Sequence, residues 1–325
     1  MKPFKNSLRL QIIAPSISLL LCLAITFIFR LQPDAFAAVL VLPRWLWIVP
    51  GLLFAALGWT RQRGRFAYLA ALLWMLYALF FVQEFRRLVR WKTASDQNAD
   101  LRVISLNCNG GNEAAAAEVK DFHPDLVFFE ESPLRPLVQK MATNLLGTNA
   151  ESFCSSDVSL IAKGHITPLP VENSASAPFI HARVEFPSGL VAEVFVVRLQ
   201  PYNIRADLWS PDCWQKQSAI RKIQRSQFEW IEREVEKVPK DVPIILGGDF
   251  NLPAGDKLFR ILNPRLRDTF RETGGGWGDT LDNNLPILRI DQIWCDSHFK
   301  SAATFAQPTA NSDHRMVICD LSRSP

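Results

Sequence analysis

Seven polar residues stand at or near the ends of short apolar runs in this 325-residue chain: Asn107, Glu131, Asp249, Asn251, Asp291, Asp313 and His314. Carboxylates and amides without a thiolate among them form the hard-oxygen donor set that suits Mg²⁺ or Mn²⁺. A histidine directly after an aspartate adds acid–base chemistry at neutral pH. A divalent cation, a positioned water and an imidazole together are what in-line attack on phosphorus requires. Singly, each residue has a plain structural alternative. Asn107 and Asn251 are also turn formers, Asp249 after Gly247-Gly248 is also a turn aspartate, and Asp313-His314 also caps a loop. Glu130 competes with Glu131 as the acid of its run. His123, His165, His181 and His298 fit no such pattern and read as surface or satisfied core residues.

The elements that must carry these residues are short. Arg102–Leu106, Asp125–Phe129, Val158–Ala162, Val191–Leu199, Pro243–Leu246, Ile290–Trp294 and Met316–Leu321 read as strands. Gln215–Val238 reads as a long helix with Ile220, Ile223, Ile231 and Val235 on its apolar side. Ala114–Phe122 and Gly255–Leu262 are shorter helical stretches. Many strands with interspersed helices indicate an α+β chain, a four-layer α/β/β/α sandwich with two sheets packed face to face.

Five short motifs then occur in a telling order: Leu106-Asn107-Cys-Asn109-Gly, Asp125-Leu-Val-Phe-Phe-Glu130-Glu131, Gly248-Asp249-Phe-Asn251, Arg289-Ile-Asp291-Gln-Ile and Ser312-Asp313-His314. In that order they resemble the endonuclease/exonuclease/phosphatase superfamily, and the resemblance covers about residues 101–322. It implies the DNase-like fold and a Mg²⁺- or Mn²⁺-dependent hydrolase of phosphate esters. It further implies Glu131 as the principal metal carboxylate, helped by Asn107, with Asp313 in the metal sphere or just outside it. Asp249 is implied to align or deprotonate the attacking water, and Asn251 to bind phosphoryl oxygens. His314, oriented by Asp291, is implied to contact the scissile phosphate or act as base. Strand alternation puts Glu130 on the face opposite Glu131. One position departs from the family: Arg198-Leu199 stands where a His-Leu or comparable pair is usual. An arginine stays protonated and cannot take a titrating role, but it can grip a nonbridging oxygen. The alternative is a solvated arginine at a strand end.

The N-terminal part is of another kind. Residues 1–95 hold 12 Lys and Arg against 2 Asp and Glu, and the remainder holds 24 against 30. An acidic catalytic part speaks against a general nucleic-acid binder. Ile12–Phe29 is uncharged over 18 residues, and Trp45–Trp59 and Phe66–Val82 are further apolar runs. Ala35–Leu42, set off by Pro43-Arg44, joins the second run, with Arg44 expected near an interface. About three transmembrane helices are therefore expected in residues 1–92, then a linker at 93–100 and a catalytic domain at 101–325. A cleavable signal peptide and buried soluble helices are the competing readings. Lys2, Lys5, Arg9 and the Arg61–Arg65 loop favour an extracytoplasmic catalytic domain, while Arg86, Arg87, Arg90 and Lys92 oppose it. The six cysteines form no CxxC and read as free, mostly buried thiols, with Cys154 and Cys213 the pair that an oxidising compartment could join.

The expected protein is thus a multi-pass membrane hydrolase whose partners are the bilayer and a phosphate-ester substrate. That substrate is a nucleic acid, a lipid headgroup or a small molecule. The other class is a catalytically weak, membrane-tethered module that binds phosphorylated ligands or a protein.

Overall fold

The computed structural model of the chain describes residues 3–59, 64–82 and 99–324. It divides into two compact units, Met1–Val89 with Asn203–Arg221, and Arg90–Tyr202 with Lys222–Pro325. Most of the expected linker, residues 93–98, lies outside the described residues.

The first unit contains helices α1 (Pro3–Leu31), α2 (Ala37–Leu40), α3 (Ile48–Leu57) and α4 (Arg65–Phe81). Among the described residues only Ile12–Leu31, at mean hydropathy 2.5, is both long and apolar enough to cross a bilayer unbroken. The expectation of about three transmembrane helices is corrected accordingly. The second run is broken, Asp34–Leu40 meeting Arg44–Leu57 at 82°, because Pro43 has no N–H and pushes the residue before it out of the helical region. The third is a 17-residue helix, about 25 Å long against a hydrocarbon core of about 30 Å.

Specific contacts hold these helices together. Ser18 Oγ donates to the Gly51 carbonyl at 2.6 Å and accepts from Trp74 Nε1 at 3.1 Å. Gly51 is required there, since a Cβ would fall 2.0 Å from the Trp74 ring. Arg44 donates to the Phe81 carbonyl at 3.1 Å and lies over the Phe29 ring, so its charge serves the open C-terminal end of α4. Segment 203–221 clusters with this unit. Trp214 packs edge-on against Phe36, and the buried Arg221 donates to Asp34 at 3.1 Å.

The second unit holds two six-stranded sheets. One has the order β11-β12-β1-β2-β4-β3, with β1 Leu101–Asn107, β2 Leu126–Glu130, β3 Ala150–Cys154, β4 Val158–Lys163, β11 Phe299–Gln307 and β12 Met316–Arg323. The other has the order β5-β6-β7-β8-β10-β9, with β5 His165–Pro168, β6 Phe179–Glu185, β7 Val191–Arg198, β8 Ile244–Asp249, β9 Arg267–Asp268 and β10 Asp291–Cys295. Residues of alternate parity divide the core into three layers. Leu101, Val103, Phe128, Val194, Val196, Ile245 and Ile293 fill the space between the sheets. Ile104, Leu106, Val127 and Phe129 face the short helices α5 (Glu113–Ala117) and α6 (Arg135–Leu146). Phe195, Val197, Ile244 and Leu246 face Phe228, Ile231 and Val235 of the long helix α7 (Pro211–Lys237). The last α-helix is α8 (Thr269–Thr273). The four-layer α/β/β/α sandwich is therefore the fold of this unit.

β7 and β8 approach unusually closely at Gly248, whose φ is 137° and whose Cβ, if present, would lie 2.0 Å from the Val197 carbonyl oxygen. Backbone cannot yield as a flexible side chain can. Gly248→Ala is expected to destabilise the protein by about 3 kcal/mol or more, measured by denaturant unfolding of the detergent-solubilised chain. A loss under about 1 kcal/mol shows that the two strands can part there.

Candidate active site

Period-two alternation assembles the site. Arg198 shares its parity in β7 with Val194 and Val196, so its side chain enters from the inter-sheet side. By the same count Asp249 in β8, Asp291 in β10 and Asn107 in β1 face the space between the sheets. Register then brings them level. Arg198 pairs with Asp249 across β7 and β8, Asp249 with Asp291 across β8 and β10, and Asn107 with Glu130 across β1 and β2. Two parallel steps put the C-terminal ends of β7 and β8, and of β1 and β2, at one edge of the sandwich.

Asp249 is the centre of the hydrogen bonding. Its Oδ1 accepts from the Asn251 backbone N–H at 2.8 Å, and its Oδ2 accepts from Asn107 Nδ2 at 3.1 Å and Asn251 Nδ2 at 3.0 Å. Asn251 has φ 46°, in the left-handed region that asparagine tolerates. Its amide also donates to the Leu199 carbonyl at 3.1 Å, so both of its N–H groups are committed. As arranged, Asn251 braces Asp249.

His314 Nδ1 lies 2.9 Å from Asp291 Oδ2. Ligand atoms of Asp249, Asp291 and His314 all lie within 4.8 Å of one another. Burial alone pulls the imidazolium down, but the Asp291 charge and hydrogen bond prevail and lift His314 to about 10. Burial and the neighbouring Asp291 push Asp249 up to about 7. The other oxygen of Asp291, Oδ1, is buried with no partner. Asp313 does not join this group. It is exposed, and its backbone carbonyl accepts from the Asn283 N–H at 2.7 Å.

Glu131 sits at the rim, one residue past β2, with φ 44°. Its Oε2 accepts from the Gly110 N–H at 2.7 Å, and its Oε1 accepts from Arg198 Nη2 at 2.7 Å and Asn107 Nδ2 at 3.4 Å. Burial tends to raise this acid, yet Arg198, Gly110 and Asn107 together hold it below the usual glutamate range. Asn107 thus spans Glu131 and Asp249 through one amide nitrogen, while its Oδ1 accepts from the Asn109 N–H at 2.9 Å. Arg198 also reaches Asp157 at 2.5 Å. It is therefore an ion-paired cleft residue and not a solvated strand end.

Glu130 lies on a different face from Glu131, the space between the sheets beneath the site. Strand alternation runs on through Glu130, and the left-handed turn then throws Glu131 outward. Glu130 is wholly buried, accepting from Ser105 Oγ at 3.0 Å, with its Oε2 unpartnered. Burial, then Asp291 and Asp249, raise it well above the ordinary value, which favours its neutral form.

Several supporting residues carry no sequence signal. Gln224 lies on the buried face of α7 and donates to the Asn251 carbonyl at 2.7 Å and the Gln200 carbonyl at 2.9 Å. The apolar side expected for that helix is displaced, since Ile223 is exposed while Gln217, Arg221 and Gln224 are buried. Thr280 Oγ1 accepts from the Asp291 N–H at 3.2 Å. Ser312, which stands within its motif, donates to the Asn107 carbonyl at 2.7 Å and accepts from the His314 N–H at 3.0 Å.

The donor set fits a hard cation. Glu131 offers a carboxylate at an accessible rim, Asn107 an amide, and no thiolate is among the site residues. Cys154 and Cys213 are free and buried, as are the other four cysteines.

A sandwich of this topology, with carboxylates, amides and a His–Asp pair at its open edge, is that of the DNase-like phosphoesterases. The family model described as Endonuclease/Exonuclease/phosphatase family matches residues 104–314, and the chain belongs to that family. It is accordingly a hydrolase of phosphoester bonds. No curated protein sequence matches the chain. Solved structures share the fold at low identity. A mannosyl-6-phosphatase from Bacteroides thetaiotaomicron is 14% identical at TM-score 0.53, over 68% of this chain and 99% of its own. TDP2 from D. rerio, complexed with a single-strand DNA product, is 18% identical at TM-score 0.51, over 68% and 98%. An endonuclease/exonuclease/phosphatase from Beutenbergia cavernae is 16% identical at TM-score 0.50, over 70% and 72%.

The raised Glu130 has a consequence for stability. The folded protein binds this proton more tightly than the unfolded chain does. Its contribution is therefore complete below the ordinary glutamate value of about 4.3 and is lost as pH rises toward the higher folded value. Glu130→Gln, which mimics the neutral acid, is expected to match the natural chain at pH 4 in EDTA. At pH 8 it should be more stable by about 1 kcal/mol or more. Urea unfolding at the two pH values measures this, and a variant less stable at pH 8 shows that Glu130 is held as a carboxylate.

Proposed function

We propose that the chain is a membrane-anchored, divalent-metal-dependent hydrolase of phosphodiesters or phosphomonoesters. The reading is carried by the gathering of Arg198, Asp249 and Asp291 on three neighbouring strands, with Asn107 bridging Asp249 to Glu131. Bound Mg²⁺ or Mn²⁺ would polarise the phosphoryl group and lower the pKa of a water. Glu131 is the carboxylate that would hold it, with Asn107 joining once its amide oxygen turns to the rim, and Asp313 contributing from its exposed position. Asp249, braced by Asn251, aligns the attacking water and takes its proton. His314 has Nδ1 committed to Asp291 and keeps Nε2 for the scissile phosphate. Arg198 holds a nonbridging oxygen.

Two of the similar structures name a sugar phosphatase and a protein with a DNA product, so the fold leaves both chemistries open. The acidic balance of residues 96–325 disfavours a sequence-blind grip on polyphosphate. A membrane tether then favours a lipid headgroup or a small phosphate ester over nucleic acid. One observation supports the other class, a catalytically weak binding module: Glu131 is already paired with Arg198.

A hydrolysis panel on the solubilised full chain tests this. It would offer plasmid DNA, RNA, phosphoinositides, sphingomyelin and a bis-aryl phosphodiester, each with Mg²⁺, Mn²⁺ or EDTA. Turnover that needs the cation and falls about 100-fold or more in Glu131→Gln is expected. Turnover surviving EDTA rejects the metal, and ligand binding without turnover supports the module.

The anchoring rests on α1 and on the outward apolar side chains of its unit, among them Leu23, Phe27, Leu53 and Phe80. Lys2, Lys5 and Arg9, ahead of α1, favour an extracytoplasmic catalytic unit. A reporter fused after Pro325 that works only when exported should be active, and activity of a cytoplasm-only reporter reverses the orientation.

A further inference from the structure

One contact in the site serves no step described so far. Arg198 bridges two acids, donating from Nη2 to Glu131 Oε1 at 2.7 Å and from Nη1 to Asp157 Oδ2 at 2.5 Å. Its Nε is shut off from solvent with no partner. Arg198, in the middle of the bridge, is the least exposed at 18%, against 29% for Glu131 on one side and 48% for Asp157 on the other. Glu131 is therefore fully attended by Arg198, Asn107 and Gly110. A dication bound to that carboxylate would stand against a guanidinium, and the repulsion is several times stronger in a partly desolvated cleft than in water. Arginine cannot relieve it by losing a proton. It must move, and Asp157 is the acid that remains to it.

Resting on the metal-dependent reading above, we propose that Arg198 is an exchangeable counter-ion. It covers Glu131 until a cation arrives, then pivots on Asp157 and turns its released Nη2 and its unpaired Nε onto a phosphate of the substrate. Asp157 is the positioning residue of this movement, and no motif of the chain contains it. Without Asp157 nothing holds the guanidinium as it leaves Glu131 ahead of the phosphate, and it stays. Cation and phosphate consequently bind with positive cooperativity, because each takes up one side of a pair that otherwise satisfies itself. By linkage the effect is reciprocal.

The test is Mn²⁺ binding to the solubilised full chain, followed by electron paramagnetic resonance with and without inorganic phosphate. In the natural protein phosphate should tighten Mn²⁺ by about tenfold or more. Arg198→Ala should bind Mn²⁺ more tightly than the natural protein when phosphate is absent, and phosphate should no longer help. Arg198→Gln gives the same comparison if the alanine variant folds poorly. Asp157→Asn should keep the weak binding and lose the phosphate effect, an outcome that a purely structural role would not produce. Mn²⁺ affinity in the natural protein that ignores phosphate overturns the exchange, as does an Arg198→Ala or Arg198→Gln chain that binds Mn²⁺ no better. Absence of any Mn²⁺ binding in the natural protein, with or without phosphate, rejects the metal-dependent function and the exchange with it.

Discussion

Like charges confined away from water must be neutralised, or the structure that confines them opens. Glu130, Glu131, Asp249 and Asp291 crowd the mouth between the two sheets, and each is answered differently. Burial and the neighbouring acids push Glu130 toward its protonated form. Glu131 takes Arg198 and a backbone N–H, Asp249 takes three N–H groups, and Asp291 takes His314. Nearly every other polar detail of the site follows from these settlements. Gln224 fixes the loop that supplies an Asp249 donor, Ser312 fixes the backbone on either side of His314 and Asn107, and Thr280 holds the chain entering β10. A site of this kind is ready for a cation because so much negative charge is balanced by donors that can be exchanged.

How much of this was legible beforehand depends on the kind of signal. Residues such as Asp249, Asp291 and His314 stand in compact motifs at strand ends, and the seven strands read from the sequence are those dominated by large or β-branched apolar residues. β6 and β11 escape notice because His181, Arg183, Lys300 and a row of alanines interrupt the pattern. Asp157 and Gln224 could not have been found. Each acts only through a partner distant in sequence, 41 and 27 residues away respectively. The burial of Glu130 beneath the site is hidden for a different reason: the left-handed turn at Glu131 is not announced by the sequence.

The N-terminal unit shows the opposite balance. Its apolar runs are plain, but hydropathy counts residues and not their path. Pro43 turns one continuous run into two helices at 82°. Arg44, which looks costly in an apolar setting, is placed where an uncapped helix end wants a cation. The small residue Gly51 reads as a weakness in a helix, and it is the place where Trp74 lies down.

Glu131 and Asn251, one at the rim and one beside the central aspartate, both adopt backbone angles that glycine or asparagine reach at less cost than glutamate does. Asparagine at 251 is at ease there, whereas glutamate at 131 is not. A lineage that ceased to need the acid would gain foldedness simply by drifting at that one codon, toward glycine or asparagine. The acid at the rim is therefore held at a cost in backbone strain that a chain without it would not bear.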